Sequence, residues 1–595
     1  MEVVIARGRQ VDHFVGDTGI QTAWDALYSE CAWATVFQSR GFATIWYETY
    51  KAVFEPLIVW AQERDGQLEG LLALAVTRDG TLVPCGTPQG EYYAWISRPG
   101  RDAAFLQSAL QVLWELFPGQ SLRFAFVPPE TPVNFIGHGA PELRNAVVVR
   151  YPRPVRILAR EPATASLRKK SNKSRLNRLA RIGAVQYQEL KSSAELEPHL
   201  DDMALFCDFR QGGIHGSFPF EGDPNKRQFF RRLLDWPGLT YTSVLIAGDT
   251  LAAYHIGFRS RREVSLGLVG HSPLLGQHSP GKLLLLLIAD ALERTTVERF
   301  DLTPGESYKE RFANDQDTAF IVTFYASATR AAWARLRGRI VRDTRAALSR
   351  LHVDGDAMRR RLKSFAKYLS WRSVPKVIRL FRKKLASTEE MRFYGLKPSL
   401  TRLPERGAAV QFAVNQVADL LLYRPASAGD RSRQQFLYDC ARRFEEEQVV
   451  FTFVENGELL HHAWIAPRAG RAPSGVGNNI VVPERSCVLW DDYTHPSARG
   501  RGLHKTSIRA RAEYALRAGF RHVYINVYAV NAPSRRNIES SGFEYLGSMV
   551  REVRFGRSVI EWKAGATDYG LGPDVTHTDP PDGAAGFSSC ESSRP

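Results

Sequence analysis

The residues with the clearest chemical content are Arg499-Gly500-Arg501-Gly502. An apolar stretch, CVLWDDYTHP, runs into them, and a helix-patterned stretch runs from them to about residue 518. Two glycines in four positions let the backbone approach a ligand closely, and a helix N-terminus turns unbonded N–H groups toward it. Strand, glycine turn and helix in that order make a seat for a phosphate, with the N–H groups of Gly500, Arg501, Gly502 and Leu503 as its cradle. Asp491, Asp492 and His495 end the incoming strand beside the turn. They are candidates for a general base. An amine of pKa about 10.4 is mostly protonated near neutrality, and freeing its lone pair costs about 4–5 kcal/mol. An alternating strand, HVYINVYAV, and the segment NAPSRRNIESSGF follow.

Strand, R-G-R-G, helix, strand, N-x-x-S and G-F in this order resemble the GNAT acyltransferase superfamily over about 410–565. The resemblance rests on Arg499, Gly500 and Gly502 in the first motif, and on Asn531, Ser534, Glu539, Gly542 and Phe543 in the second. His504 departs from the first motif, where Gly or Ala is usual. The resemblance implies two parallel strands that splay apart, acyl-CoA pantetheine in the gap and its pyrophosphate on the turn. It also implies an oxyanion held by backbone N–H near Tyr493 and Thr494. Many members place in the second motif a Tyr that protonates the leaving thiolate. Ile538 stands there, so no general acid is carried over. A thiol of pKa about 8.5 leaves tolerably as thiolate.

A second constellation lies upstream. Residues 276–282, GQHSPGK, fit G-x-x-x-x-G-K, but Leu283 replaces the Ser or Thr that would hold Mg²⁺, which argues against a nucleoside triphosphatase. AAYHIGF, HSPGKLLLL opening a helix and FDLTPGESYKERF are similar instead to the CelD/BcsL-like acetyltransferases, a GNAT branch associated with exopolysaccharide synthesis and related to Fem-type aminoacyl transferases. That resemblance covers about 160–325. It implies Ser279, Gly281 and Lys282 as the phosphate turn, and His255, Asp301, Glu306, Tyr308 and Lys309 along the site, with His255 and Glu306 in catalytic places. It also implies a degenerate partner lobe in 1–160.

These motifs need elements to hold them. The pattern predicts an α/β protein with mixed sheets: tandem GNAT-like folds joined by a basic helical linker. The expected parts are a degenerate lobe at 1–160, a CelD/BcsL-like domain at 161–328, a linker at 329–400, a GNAT domain at 401–565 and a disordered tail at 566–595. With 44% hydrophobic and 24% charged residues, the chain has material for several cores, which excludes a disordered protein. Six Cys without a C-x-x-C pair argue against a disulfide scaffold or a zinc site, no H-E-x-x-H occurs, and His461 and His462 read as non-ligands, so no metal is expected. The N-terminus lacks an apolar leader pattern, and the longest apolar run, 283–289, is far below the roughly 20 residues of a membrane span. A cytoplasmic protein is the expectation.

The net charge of +16 is local. Residues 330–384 hold 18 Lys and Arg against 3 Asp and Glu, an excess of 15. Aromatic and apolar residues are interspersed there, a pattern that suits an anionic membrane face, so 330–385 is expected to attach the protein peripherally at the inner membrane surface. The expected function is transfer of an acyl group, acetyl above all, from acyl-CoA to an amine or hydroxyl of an envelope or exopolysaccharide precursor, a small or lipid-linked saccharide. Two alternatives stand beside it: a Fem-type transferase using aminoacyl-tRNA, the one nucleic-acid partner considered, and a non-catalytic assembly factor.

Overall fold

The computed structural model describes residues 1–305, 307–350, 386–396, 410–427, 429–476, 479–554, 557–565 and 570–573. Glu306, most of the basic linker and nearly all of the proposed tail therefore lie outside the described residues. The chain divides into two units, Met1–His352 and Val353–Pro595.

In the first unit a small sheet is built on the hairpin Phe54–Gln62 and Leu68–Thr77, which turns at Asp65-Gly66. Gly66 has φ 89°, which favours glycine. An eight-stranded sheet follows, in the order Ser121–Val127, Asp315–Tyr325, Ala146–Ile157, Arg299–Asp301, Glu263–His271, Thr250–Ser260, Thr240–Ala247, Val185–Leu190. The boundary expected at residue 160 is thus misplaced. Strands of 121–157 are hydrogen-bonded into the second sheet, with partners more than 140 residues downstream.

Five elements of this unit matter below. They are α1 (Lys170–Leu179), β1 (Thr250–Ser260), β2 (Glu263–His271), α2 (Pro280–Leu292) and β3 (Arg299–Asp301). Pro280 starts α2 at a position where a missing N–H costs nothing. The leucines of α2 then pack against β1 and β2, Leu283 and Leu284 with no exposed surface. A fully buried Leu contributes about 1.5–3 kcal/mol. The crossover through α2 makes β2 and β3 parallel, paired only from Glu263↔Arg299 to Ser265↔Asp301. Beyond Ser265, β2 leaves β3 and runs on past Gly267 (φ 54°) to His271, paired with β1 only, and a gap opens on the β3 side.

Helix α3 (Ala328–Arg350) closes this unit's described residues. The second unit begins with a correction. β4 (Ala386–Leu396), which the sequence places inside the basic linker, is an interior strand, hydrogen-bonded on both sides. Its sheet continues through β5 (Glu458–Pro473), β6 (Asn479–Thr494) and β7 (His522–Tyr528), with α4 (Leu503–Arg517) and α5 (Ala532–Glu539) between strands. β6 and β7 are parallel and pair only from Ser486↔His522 to Leu489↔Ile525 before parting. The splayed pair expected at CVLWDDYTHP and HVYINVYAV is present. Gly572–Pro573, placed by the sequence in the tail, pairs with β6.

Candidate active sites

In the second unit, β6 carries a bulge where it leaves β7. Ala463 of β5 faces two residues, Asp491 and Asp492, and Asp491 has φ 48°. The chain then makes the turn at 499–502. Gly500 (φ 81°) and Gly502 (φ 77°) are left-handed, and a Cβ on either would meet nothing within 4 Å, so glycine is required by conformation while the space above stays open. Gly502 caps α4, whose first bond is Thr506 N–H to the Gly502 carbonyl at 3.1 Å. Among the described residues the amides of Gly500, Arg501, Gly502, Leu503, His504 and Lys505 have no acceptor. Six consecutive free N–H groups at a helix N-terminus form an anion cradle.

His504, the departure from the first motif, joins the two motifs. Its Nδ1 lies 3.1 Å from Asn537 Nδ2 of α5, and its Nε2 lies 3.5 Å from an Asp492 oxygen. Burial pushes its pKa down. Asn531 caps α5 by accepting the Ser534 N–H at 3.2 Å. Ile538 is fully buried in the core, and the neighbouring Glu539 accepts from Tyr394 Oη of β4 at 3.1 Å.

The base candidates beside the turn need correction. Asp491 accepts from Arg431 Nη2 at 2.8 and 3.0 Å and pairs with Arg443 Nη1 at 2.6 Å. Although burial opposes it, Arg443, His462 and Arg431 hold its carboxyl below the usual range, which makes it a weak base. Asp492 is bound by Arg511, a fully buried guanidinium that also donates to the Trp464 carbonyl at 3.0 Å. His495 Nδ1 accepts the Ser497 N–H at 3.3 Å, which leaves the proton of the neutral ring on Nε2. His461 bonds Thr494 Oγ1 at 2.8 Å, and His462 stacks on Tyr493 at 5.3 Å. Tyr493 and Thr494 lie on the part of β6 beyond its last pairing with β7. Arg501 is held by Glu455 at 2.8 Å through both nitrogens, and Arg499 reaches the Thr494 carbonyl at 3.4 Å.

The corresponding turn of the first unit is poorer in N–H groups. Ser279 (φ 53°) caps α2, Pro280 has no N–H, Ser279 N bonds the Gly276 carbonyl and Leu283 N bonds the Ser279 carbonyl, which leaves Gly281 and Lys282. A Cβ on Gly281 would lie 3.3 Å from His271 Nδ1. Basic side chains cluster at this turn. Burial lowers the Lys282 pKa, and Arg175, Lys169 and Arg311 add to that effect.

His255 is also corrected. It has no exposed surface and its ring faces Tyr241 and Phe300 in the core; burial pushes its pKa to about 3, so the ring is uncharged at neutrality. Asp301, at the end of β3, is a buried clamp. It accepts from Tyr92 Oη at 2.5 Å, from Thr303 N at 2.8 Å and from Arg153 Nη1 at 3.4 Å. Lys309 donates to Thr303 Oγ1 at 2.7 Å, and Tyr308 lies under Arg210. Beside Thr303 and Lys309 is Glu91, a half-buried carboxyl from the first sheet's loop that sequence reasoning missed. Glu91 belongs to no motif, and 210 positions separate it from Asp301, so no local pattern marked it.

Two family models match: "Acetyltransferase (GNAT) domain" over residues 166–312 and "Acetyltransferase (GNAT) family" over residues 418–543. The chain carries two GNAT acetyltransferase domains in tandem, one matched within each unit. Among solved structures it is similar to L-PGS from Bacillus licheniformis, at 11% identity and TM-score 0.33 over 51% of this chain and 92% of that one. FemX gives 9% and 0.35 over 51% and 95%. An acetyltransferase from the GNAT family of Colwellia psychrerythraea gives 10% and 0.21 over 64% and 100%. No curated protein matches.

Proposed function

We propose that the protein is an acyl-CoA-dependent acyltransferase, an N-acetyltransferase above all, whose acceptor is an amine or hydroxyl of an envelope or exopolysaccharide precursor. The observation that carries the donor is the row of six free amides at 500–505, which fits a pyrophosphate. Bound there, the donor would supply an activated thioester, while the strand gap beyond Leu489 and Ile525 would take its pantetheine arm. Titrating CoA into the full chain by calorimetry tests this. Binding that Gly502→Trp abolishes is expected, and binding that ignores the substitution would contradict the seat.

A lipid-linked saccharide fits the exposed stripe of α3. Trp333 is 67% exposed and Leu336 55%, next to Arg335, Arg337 and Arg339. Such a stripe favours a cytoplasmic protein held peripherally on an anionic membrane face. No helix among the described residues is long and apolar enough to cross a membrane. Co-sedimentation with phosphatidylglycerol vesicles should be lost when 330–385 is deleted, and unchanged sedimentation would refute attachment through this segment.

One observation favours a second reading, the Fem-type transferase. Between residues 162 and 188 the chain has seven Lys and Arg and no Asp or Glu, and α1 brings them toward the turn that opens α2. A polyanionic donor such as aminoacyl-tRNA would be retained on a filter with steep salt dependence. CoA binding without tRNA retention leaves the first reading standing.

A further inference from the structure

The loop Gln89 to Tyr93 of the first sheet is held from all sides against the end of β3. Gln89 donates to Asp223 at 2.8 Å and accepts from Trp46 at 3.2 Å. Tyr93 N–H bonds the Phe126 carbonyl at 2.7 Å, and Gln38 reaches the Tyr92 carbonyl at 3.2 Å. Tyr92 itself is anchored on Asp301, which Arg153 neutralises while also bonding Glu263 at 3.0 Å and Asp317 at 2.7 Å. So much anchoring fixes the loop's one carboxyl, which hydrogen-bonds the Thr303 hydroxyl. Glu91 projects beside the Thr303 hydroxyl and the Lys309 ammonium at the mouth of the gap between β2 and β3, where it keeps partial contact with solvent.

We propose that Glu91 is the proton acceptor of an acyl-transfer centre in the first unit, contributed to the GNAT domain at 166–312 by a loop outside it. The proposal rests on acyl transfer from a thioester, as above. The acceptor's nitrogen or oxygen attacks the thioester carbonyl carbon, the new bond forms, and its proton passes to the Glu91 carboxylate. The tetrahedral oxyanion collapses, the carbon–sulfur bond breaks, and the thiolate leaves with the electron pair and takes the proton back from Glu91. Lys309, tethered to the Thr303 hydroxyl and carbonyl, supplies positive charge beside the developing oxyanion. The donor's phosphates would meet the Gly281 and Lys282 amides with Lys169, Arg175 and Arg311 around them.

Burial supports this placement by pushing the Glu91 carboxyl up to about 7; Lys309 opposes the shift and Asp301 adds to it. Tyr93, on the same loop, also senses its charge. A carboxylate that titrates near neutrality is a stronger base than an exposed one and is still ionised enough to act.

The test uses the full chain, acetyl-CoA as donor and glucosamine as probe acceptor, with released thiol as the readout. Glu91→Gln is expected to lower the rate by about 10²- to 10⁴-fold, with Glu91→Asp between the two. The wild-type rate should fall more steeply on acidification through about pH 7 than the residual Glu91→Gln rate, which keeps only the acceptor amine's own titration. Hydroxylamine, already unprotonated at neutrality, should restore most of the loss. A Glu91→Gln rate within about threefold of wild type overturns the proposal, as does an equal loss with hydroxylamine, which a merely structural role would give. Should Glu91→Gln not fold, the wild-type pH profile and Glu91→Asp decide. Glu91 dependence that survives in Gly502→Trp places the reaction in the first unit. Thiol release that is absent while Gly502-dependent CoA binding persists overturns the Glu91 role and leaves the seat intact. Loss of both removes the acyl-CoA reading itself.

Discussion

The turn after Thr494 and the turn after His271 stand at the same point of one topology, each behind a strand that parts from its parallel neighbour. The second unit gives its turn two left-handed glycines and six free amides; the first gives it a proline, two free amides and four clustered cations. The carboxylates differ in the opposite sense. Asp491 and Asp492 are bound into arginine pairs, while Glu91 is left beside a single lysine with its proton affinity raised. Within one fold, then, the anion seat and the proton acceptor have been tuned separately. A glycine turn is a backbone property fixed by two residues, whereas a base depends on which side chains happen to face it.

The largest expected effect would break this contrast at the carboxylates. Asp491→Ala strands the nearly inaccessible Arg443 and leaves Arg431 with Asp439 alone, and should destabilise the second unit by about 3–5 kcal/mol in denaturant unfolding. Glu91→Gln, which removes no ion pair, should not destabilise the first unit and should stabilise it above pH 7, where the wild-type carboxylate is ionised against its burial. Comparable losses would erase the distinction. Next comes the seat: Gly502→Trp should weaken CoA binding by at least about 100-fold and Gly281→Trp by less than about fivefold at the tighter site. The effect of His504→Ala should be smaller, about fivefold in CoA affinity, since it unties α4 from Asn537 for the loss of roughly one hydrogen bond. Arg501→Ala should change affinity by less than about threefold, because Glu455 already neutralises that exposed guanidinium.

Acid should separate the units by sign. Asp491 is held below its ordinary 3.8, so its stabilising contribution is present above that value and is lost as the pH falls through the folded-state value. Glu91 is raised from 4.5 to about 7, so the folded state binds its proton more tightly and its contribution weakens as pH rises across that window. Thermal melts of Glu91→Gln and wild type should therefore converge toward pH 4.5 and differ most above pH 7.

The splayed strands, both turns and both helices behind them were legible in the sequence, because strand, glycine and helix periodicity are all local there. The domain limits were less so. Strand β4 lay hidden in a stretch whose charge suggested a linker, since its partners sit well over 100 residues downstream in β7 and in the strand 543–554. The site fared likewise. Residues 499–504 were found because amides need no partner to be recognised. Asp491 and His255 were assigned to chemistry by position, while arginines from 431 and 443, and the rings of Tyr241 and Phe300, decide their states. Glu91 gains its character from burial, adjusted by Lys309, Asp301 and Thr303, none of them near it in the chain.

Amide hydrogen exchange of the full chain during a CoA titration tests the separation of seat from base most directly, because the six amides of 500–505 are unbonded without ligand. Protection should appear first at 500–505, and at 281–282 only at higher CoA concentration. Protection that begins at 281–282, or that leaves 500–505 unchanged at saturation, would contradict the account.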